Sequence, residues 1–245
     1  MSRGTRAATQ RGQSSVVGVA VLLGITVVSL GVLTAGVGTL VDGHVARADA
    51  DRVATDLQGA LDPVETTGHS RGTVRFSAGT LRTADRDLRV FDSSGLVAEV
   101  SVGALVYEHG ERRAASVAGA VVRGRPGNAW FVEPPPVVGT AADDALIVGA
   151  ARLNASDAAA GGDRASVTLA TNVSHDRARL GTGTYSVAIE TATPGPFERA
   201  FEDRGATVTR RDIDGDGTPS VVARFPGTRT AYLVEHDMRL EVGDG

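Results

Sequence analysis

An uncharged run near the N-terminus is the feature that most limits what this chain can fold into. Residues 14–41 contain no Asp, Glu, Lys or Arg. Three arginines and no acidic residue precede the run, and Asp42 follows it directly. A helix needs about 20 apolar residues to cross the hydrocarbon core of a bilayer. The run therefore predicts a membrane helix, with the basic N-terminus in the cytoplasm and the rest of the chain outside.

Two other interpretations of this run fit less well. A cleaved secretory signal has a shorter apolar region, of about 7–15 residues, and ends at a small-residue cleavage site that this sequence lacks. A buried core helix of a globular domain would keep a polar face. A retained helix is the better expectation, either as an uncut single-pass anchor or as part of an assembly.

The helix is expected to continue past the apolar run as an amphipathic helix and to end before Pro63, because the residue before a proline avoids helical backbone angles. We predict one helix over residues 14–61. Its amphipathic half has apolar residues spaced by threes and fours. These are Val45, Ala46, Ala50, Val53, Ala54, Leu57 and Leu61.

Small residues in the apolar half share one helix face. Such a stripe lets helices approach closely in a membrane or in an apolar filament core. The alternative is that glycine and alanine are simply common in this chain. The candidate helix-packing residues are Ala20, Gly24, Gly31, Ala35 and Gly38.

Residues 11–19, with the sequence RGQSSVVGV, resemble the N-terminus of haloarchaeal type IV pilin-like proteins. The likeness covers residues 3–61. In that family a prepilin peptidase removes a short basic leader on the cytoplasmic side, and the apolar helix is retained as a filament core. The resemblance implies a cut between Gly12 and Gln13.

The resemblance also implies a function and partners. It implies a cell-surface structural protein that assembles through its N-terminal helix into a type IV pilus-like filament, or associates with the machinery of one. The partners would be the membrane, the prepilin peptidase, and copies of this chain or other pilin subunits. The alternative is an uncleaved, membrane-anchored extracellular β domain that binds a ligand or partner.

Composition narrows the function classes. All 25 basic residues are arginine, and cysteine is absent, which excludes a lysine Schiff base, a cysteine nucleophile and a disulfide scaffold. The part after the apolar run has 22 arginines against 29 acidic residues, a net charge of 22 − 29 = −7. An acidic exterior argues against nucleic-acid binding, which requires a basic surface.

From residue 72 onward, short β-rich runs alternate with turn residues, which predicts a mainly antiparallel, sandwich-like β domain. One short helix is expected after Pro196, with Phe197, Ala200 and Phe201 on its buried face. The whole chain is thus predicted to be α+β. The clearest strand runs are 73–77, 88–91, 97–107, 115–122, 129–132, 145–151, 166–172, 185–190, 206–211, 220–225 and 230–242.

Three regions follow from these patterns. They are a cytoplasmic leader over 1–12, the N-terminal helix over 13–61, and an extracytoplasmic β-rich domain over 72–245. The polar, glycine-containing segment 156–164 is the place where that domain would divide if it had two lobes.

The sequence DIDGDGT from Asp212 to Thr218 is the best candidate for a metal site. Asp212, Asp214 and Asp216 alternate before a turn glycine, as in the first half of an EF-hand calcium loop. The twelfth position is Ala223 where an EF-hand needs glutamate, so a true EF-hand is excluded. The interpretations left open are a weak structural Ca²⁺ site and a simple acidic hairpin turn.

Asn154 and Asn172 begin glycosylation sequons on the side expected to be outside, which predicts a glycoprotein.

The other motifs of the sequence give no catalytic site. The sequence around Ser70 matches G-x-S-x-G, but a buried strand does not precede it and a helix does not follow it, as a nucleophile elbow requires. The five histidines show no metal-binding spacing. We therefore expect that the protein is not an enzyme.

Overall fold

The computed structural model describes residues 11–62, 67–140 and 142–244, and the side chains of these residues except 11–18, 32–41 and 244. The helices are α1 (Arg11–Ala60) and α2 (Pro194–Asp203). The strands are β1 (Gly68–Phe76), β2 (Thr80–Ala84), β3 (Asp87–Asp92), β4 (Gly95–Ser101), β5 (Ala104–His109), β6 (Arg112–Val117), β7 (Ala120–Arg125), β8 (Asn128–Glu133), β9 (Val137–Val138), β10 (Ala145–Arg152), β11 (Ala159–Gly161), β12 (Ala165–Gly183), β13 (Ser186–Glu190), β14 (Thr207–Arg211), β15 (Ser220–Arg224), β16 (Arg229–Asp237) and β17 (Glu241–Asp244).

Three sheets account for the described strands. The first has the order β1-β12-β16-β10-β9, and β17 also pairs with β12. The second has the order β11-β2-β5-β6-β7-β8, and the third has the order β14-β15-β13-β3-β4. Neighbouring strands run antiparallel except β10 and β16, which run parallel. The expectation of a β-rich domain is therefore confirmed.

The last part of α1, residues 46–60, packs against the first two sheets. The apolar side chains spaced by threes and fours are buried here as predicted, with Val53, Ala54 and Leu57 fully inside. They share a core with Val74 and Phe76 of β1, among other residues of the two sheets. Burial of this apolar stripe, rather than helix propensity, holds these residues in place.

A second core is formed by α2 together with apolar residues of all three sheets. Phe197 and Phe201 of α2 are fully buried in it. Phe197 meets Phe131 edge to face, with ring centroids 4.8 Å apart, a favourable aromatic geometry. Pro194 and Pro196 stand in the first turn of α2, where a missing amide hydrogen costs nothing.

The predicted fold class is wrong. A long membrane or filament helix ahead of a sandwich-like domain was expected, but the structure is mostly β and has three sheets. Within the part of the chain that the structure describes, no helix has both the length and the apolar character to cross a membrane. Residues 46–60 are amphipathic and belong to the β-rich core.

The chain divides into two units, Met1–Val45 and Ala46–Gly245. The boundary falls inside α1. The reason is that the amphipathic residues after Val45 bury their apolar face in the β-rich unit. The segment 156–164 contributes β11 to the edge of the second sheet, where it pairs with β2.

Candidate functional site: an acidic cluster on the third sheet

The third sheet has one face in the core and one outer face. Val187 and Ile189 of β13 lie in the core, and side chains alternate between faces along a strand. The outer face therefore carries Glu190 of β13. It also carries Ser220, which is directly opposite Glu190 in the β13–β15 register. Arg89 of β3 lies opposite Ala188 on the same face. The charged side chains on this outer face thus come from strands that are distant in sequence.

The aspartate-rich loop between β14 and β15 makes its own hydrogen bonds. Asp212 Oδ1 accepts from the amide of Gly215 at 2.8 Å, and Oδ2 accepts from the amide of Gly217 at 3.1 Å. Asp216 Oδ1 accepts from the amide of Thr218 at 2.7 Å. Both glycines have positive φ, which a side chain at these positions would disfavour. Asp212 and Asp216 therefore shape the loop.

The side chain of Asp214 contacts the third sheet. Its Oδ1 lies 2.8 Å from Arg89 Nη2, which also lies 2.7 Å from Asp87 Oδ2. Arg89 Nε in turn donates to Glu99 Oε1. Arg89 is buried, so its charge-assisted hydrogen bonds are poorly screened by water. One guanidinium thus ties the loop to β3 and β4.

Glu190 is the most buried carboxylate of the group, at 3% exposure. Its Oε2 accepts from the amide of Asp87 at 3.2 Å, and its Oε1 lies 3.3 Å from Arg86 Nη1. Burial raises the pKa of Glu190, and Asp216 and Asp214 add to this increase. Arg86 and the Asp87 amide act in the opposite direction. The buried carboxyl therefore carries an incompletely compensated charge.

Asp87, Glu190 and Asp214 form the acidic cluster. Each offers one carboxylate oxygen, and these oxygens all lie within 4.8 Å of one another. Carboxylate oxygens at such spacing can hold a hard divalent cation. Of the three predicted calcium ligands, the structure places Asp214 in the cluster, while Asp212 and Asp216 bond to backbone amides of the loop. Sequence reasoning missed Asp87 and Glu190, which are separated by more than a hundred residues and carry no local motif.

The two predicted glycosylation sites lie in different surroundings. Asn154 is exposed, has positive φ, and donates from Nδ2 to Asp237 Oδ1 at 3.1 Å. Asn172 lies within β12, paired with His69 of β1, and its amide donates to the carbonyl of Met238. Asn154 is thus the more accessible of the two acceptors.

The N-terminal candidates are described only in part. Gly12 and Gln13 fall within the bounds of α1, but their side-chain surroundings lie outside the described residues, as do those of Ala35 and Gly38. Ala20 is exposed, and nothing lies within 4 Å of a Cβ built on Gly24 or Gly31. The surface around these small residues is open.

The predicted G-x-S-x-G match is part of a strand. Gly68, Ser70 and Gly72 belong to β1, which pairs with β12 along its whole length. A nucleophile elbow needs a sharp turn from strand to helix at the serine. The serine therefore does not stand at a nucleophile elbow.

Two histidines that are 61 residues apart in the chain are in contact. Nδ1 of His175 lies 2.8 Å from Nδ1 of His236, and Nε2 of His175 lies 3.0 Å from Oγ1 of Thr67. His175 and His236 are register partners on β12 and β16, which explains the contact. His236 is buried.

This pair should make folding stability depend on pH. Burial lowers the pKa of His236, and the positive charges of His175 and Arg177 lower it further. The folded state then binds fewer protons than the unfolded state. The contribution to stability is complete above about pH 6.5 and is lost as pH falls through the lowered pKa of the folded state. Urea unfolding between pH 8 and pH 5 should show this loss.

The effect of His236 on the pH profile is tested by substitution, with a solvent-exposed histidine as the control. His236→Gln should cost about 1 kcal/mol at pH 8, for the lost hydrogen bond, and should flatten the pH profile. His44→Gln replaces an exposed histidine of α1 and should leave the profile unchanged. A wild-type profile that is flat from pH 8 to pH 5 would contradict the assignment.

Comparison with known proteins gives one family. A family model described as "Family of unknown function (DUF7289)" matches residues 11–241, which is most of the chain. No curated protein and no solved structure matches.

Proposed function

The chain belongs to this family of unknown function, and we propose that it is a type IV pilin-like structural subunit of a cell-surface assembly. The single observation that carries the proposal is the apolar surface of α1 between residues 19 and 31. Eight large apolar side chains there are each more than half exposed. They are Val19, Val21, Leu22, Leu23, Ile25, Val27, Val28 and Leu30.

These side chains point in all directions around the helix axis, because they occupy most positions of three successive turns. A soluble monomer rarely exposes a continuous apolar surface of this kind. A single docking partner would cover only one face. Packing among several like helices would cover the whole circumference, and the open surface at Gly24 and Gly31 would allow close approach.

The sequence of residues 11–19 supports the same proposal, since it resembles a prepilin peptidase site followed by the start of a pilin helix. The leader would be removed between Gly12 and Gln13. The β-rich unit has its own hydrophobic cores, so it would stay folded while the N-terminal residues assemble. The proposed location is the cell surface, and the proposed partners are prepilin peptidase and other pilin-like subunits.

The test is to express the full chain together with an archaeal prepilin peptidase and to determine its mature N-terminus by mass spectrometry. We expect a chain that starts at Gln13. Gly12→Leu should block the cut, because the resemblance requires a small residue there, and Gly4→Leu in the same leader should not. A mature chain that starts at Met1 or Ser2 would overturn the processing step.

The same preparation tests assembly by sedimentation after mild extraction. Wild type is expected in large particles. Leu22→Glu should abolish them, because a charge in the packed helix surface would be desolvated without a partner. Leu96→Glu is the matched control, since Leu96 is also exposed but lies on β4. Equal sedimentation of the three proteins would show that α1 does not drive assembly.

A further inference from the structure

We propose that Asp87, Glu190 and Asp214 bind one divalent cation of the calcium class, with the hydroxyl of Ser220 as a further ligand. The three carboxylates converge from β3, β13 and the loop after β14, and their oxygens lie within 4.8 Å of one another. The site is independent of the proposed assembly function, because every ligand belongs to the β-rich unit.

The first argument is the charge balance. Four carboxylates, those of Asp87, Glu99, Glu190 and Asp214, share the guanidinium groups of Arg86 and Arg89. The group therefore carries two more negative than positive charges, counted as 4 − 2. Leaving such an excess partly buried is costly, and one divalent cation would neutralise it.

The second argument is a buried hydroxyl. Ser220 is 1% exposed, and its Oγ has no hydrogen-bond partner. It lies directly opposite Glu190 in the β13–β15 register, so both side chains stand on the outer face of the third sheet. Opposite residues of an antiparallel pair have Cβ atoms about 5 Å apart. Burying an unpaired hydroxyl is unfavourable, and coordination to a cation beside Glu190 would satisfy it.

The carboxylates that pair with Arg89 can coordinate a cation at the same time. Arg89 contacts one oxygen of Asp87 and one oxygen of Asp214. A carboxylate has about four acceptor positions on two oxygens, so each can hold Arg89 and a cation together. The cation would then tie the loop to the sheet alongside Arg89.

The chemistry of the donors selects the metal class. The four proposed ligands are three carboxylates and one hydroxyl, with no sulfur or imidazole among them. Such hard donors suit Ca²⁺, which accepts 6–8 oxygen ligands in flexible geometry and completes its shell with water. Mg²⁺ needs a stricter octahedral arrangement and is the less suitable ion.

The experiment is calcium titration of the full chain, treated first with a chelator, by isothermal calorimetry and thermal melting. We expect one Ca²⁺ per chain and a melting temperature that rises with millimolar CaCl₂. Asp214→Asn should weaken binding by about tenfold or more, because one charged ligand is lost. Asp214 lies in a surface loop, so this variant should keep the fold, which circular dichroism would verify.

The matched control is Glu202→Gln, which removes an exposed carboxylate of α2 outside the cluster and should bind Ca²⁺ as wild type does. Sodium chloride at equal ionic strength separates specific binding from charge screening. The proposal is overturned if CaCl₂ gives no binding heat and no thermal shift, if NaCl reproduces the shift, or if Asp214→Asn binds as wild type does.

Discussion

Replacing Asp49 by alanine should destabilise the β-rich unit by about 3 kcal/mol. Asp49 is 2% exposed and holds the turn after β1. Its Oδ2 accepts from the amides of Ser77 and Ala78 at 2.8 and 3.3 Å, and its Oδ1 accepts from the Ser77 hydroxyl at 3.2 Å. The substitution removes these charge-assisted bonds and leaves buried donors without an acceptor. Urea denaturation gives the free energy of unfolding.

The neighbouring Asp51 provides the control for Asp49. It lies on the same helix and forms an ion pair with Arg123, with Oδ1 and Nη1 2.9 Å apart, but both side chains are partly exposed. A solvent-exposed pair contributes at most about 1 kcal/mol. Asp51→Ala should therefore cost far less than Asp49→Ala. Equal losses would show that the buried hydrogen bonds of Asp49 contribute no more than a surface charge.

Replacing Gly72 by alanine should be the other strongly destabilising change, at about 1–3 kcal/mol. A Cβ at Gly72 would lie 2.4 Å from Cβ of Ala60 and 3.0 Å from its Cα. The first distance is far below normal contact, so β1 and the end of α1 would have to separate. Thermal unfolding of the variant should show the loss. The glycine that ends the G-x-S-x-G match is thus explained by packing.

Gly59 is the control for the glycine experiment. It lies one residue before Ala60 on α1, and nothing is within 4 Å of a Cβ built on it. Gly59→Ala should raise stability by up to about 1 kcal/mol, because alanine is the better helix former. The two glycine-to-alanine changes are therefore expected to have opposite signs. A loss at Gly59 as large as that at Gly72 would contradict the steric explanation.

The sequence predicted that these regions form strands, but it did not predict where each strand ends. The run 97–107 is two strands, β4 and β5, with Gly103 at positive φ between them. The run 115–122 is likewise split into β6 and β7 by Ala118 and Gly119, both at positive φ. Neither turn contains the Asn-Gly or Asp-Gly pair that signals a hairpin, so the apolar pattern continued through the turn.

The opposite error occurred in β12. The sequence predicted a strand over 166–172, but β12 extends from Ala165 to Gly183. Its first half pairs with β1 and β17, and its polar second half pairs with β16. Pairing with a distant strand supplied the backbone hydrogen bonds, and this overrode the local polar composition.

The acidic cluster could likewise be predicted from the sequence only in part. The DIDGDGT loop and its glycines marked a candidate site from sequence alone, because the loop geometry depends on a few adjacent residues. The motif did not show which of its carboxylates lies near charged side chains of other strands. Asp214 was selected because Arg89, Asp87 and Glu190 lie on the outer face of the sheet that it approaches.

Features that depend on residues within a few turns of one another could be predicted from the sequence. These are the uncharged run, the amphipathic face over 46–61, the buried face of α2 and the aspartate-rich loop. The pairing of the strands and the burial of particular polar groups depend on tertiary contacts and became known from the structure. Glu190 and His236 look like ordinary surface residues in the sequence. Their partners come from strands that lie tens to a hundred residues away, and a local pattern contains no information about that register.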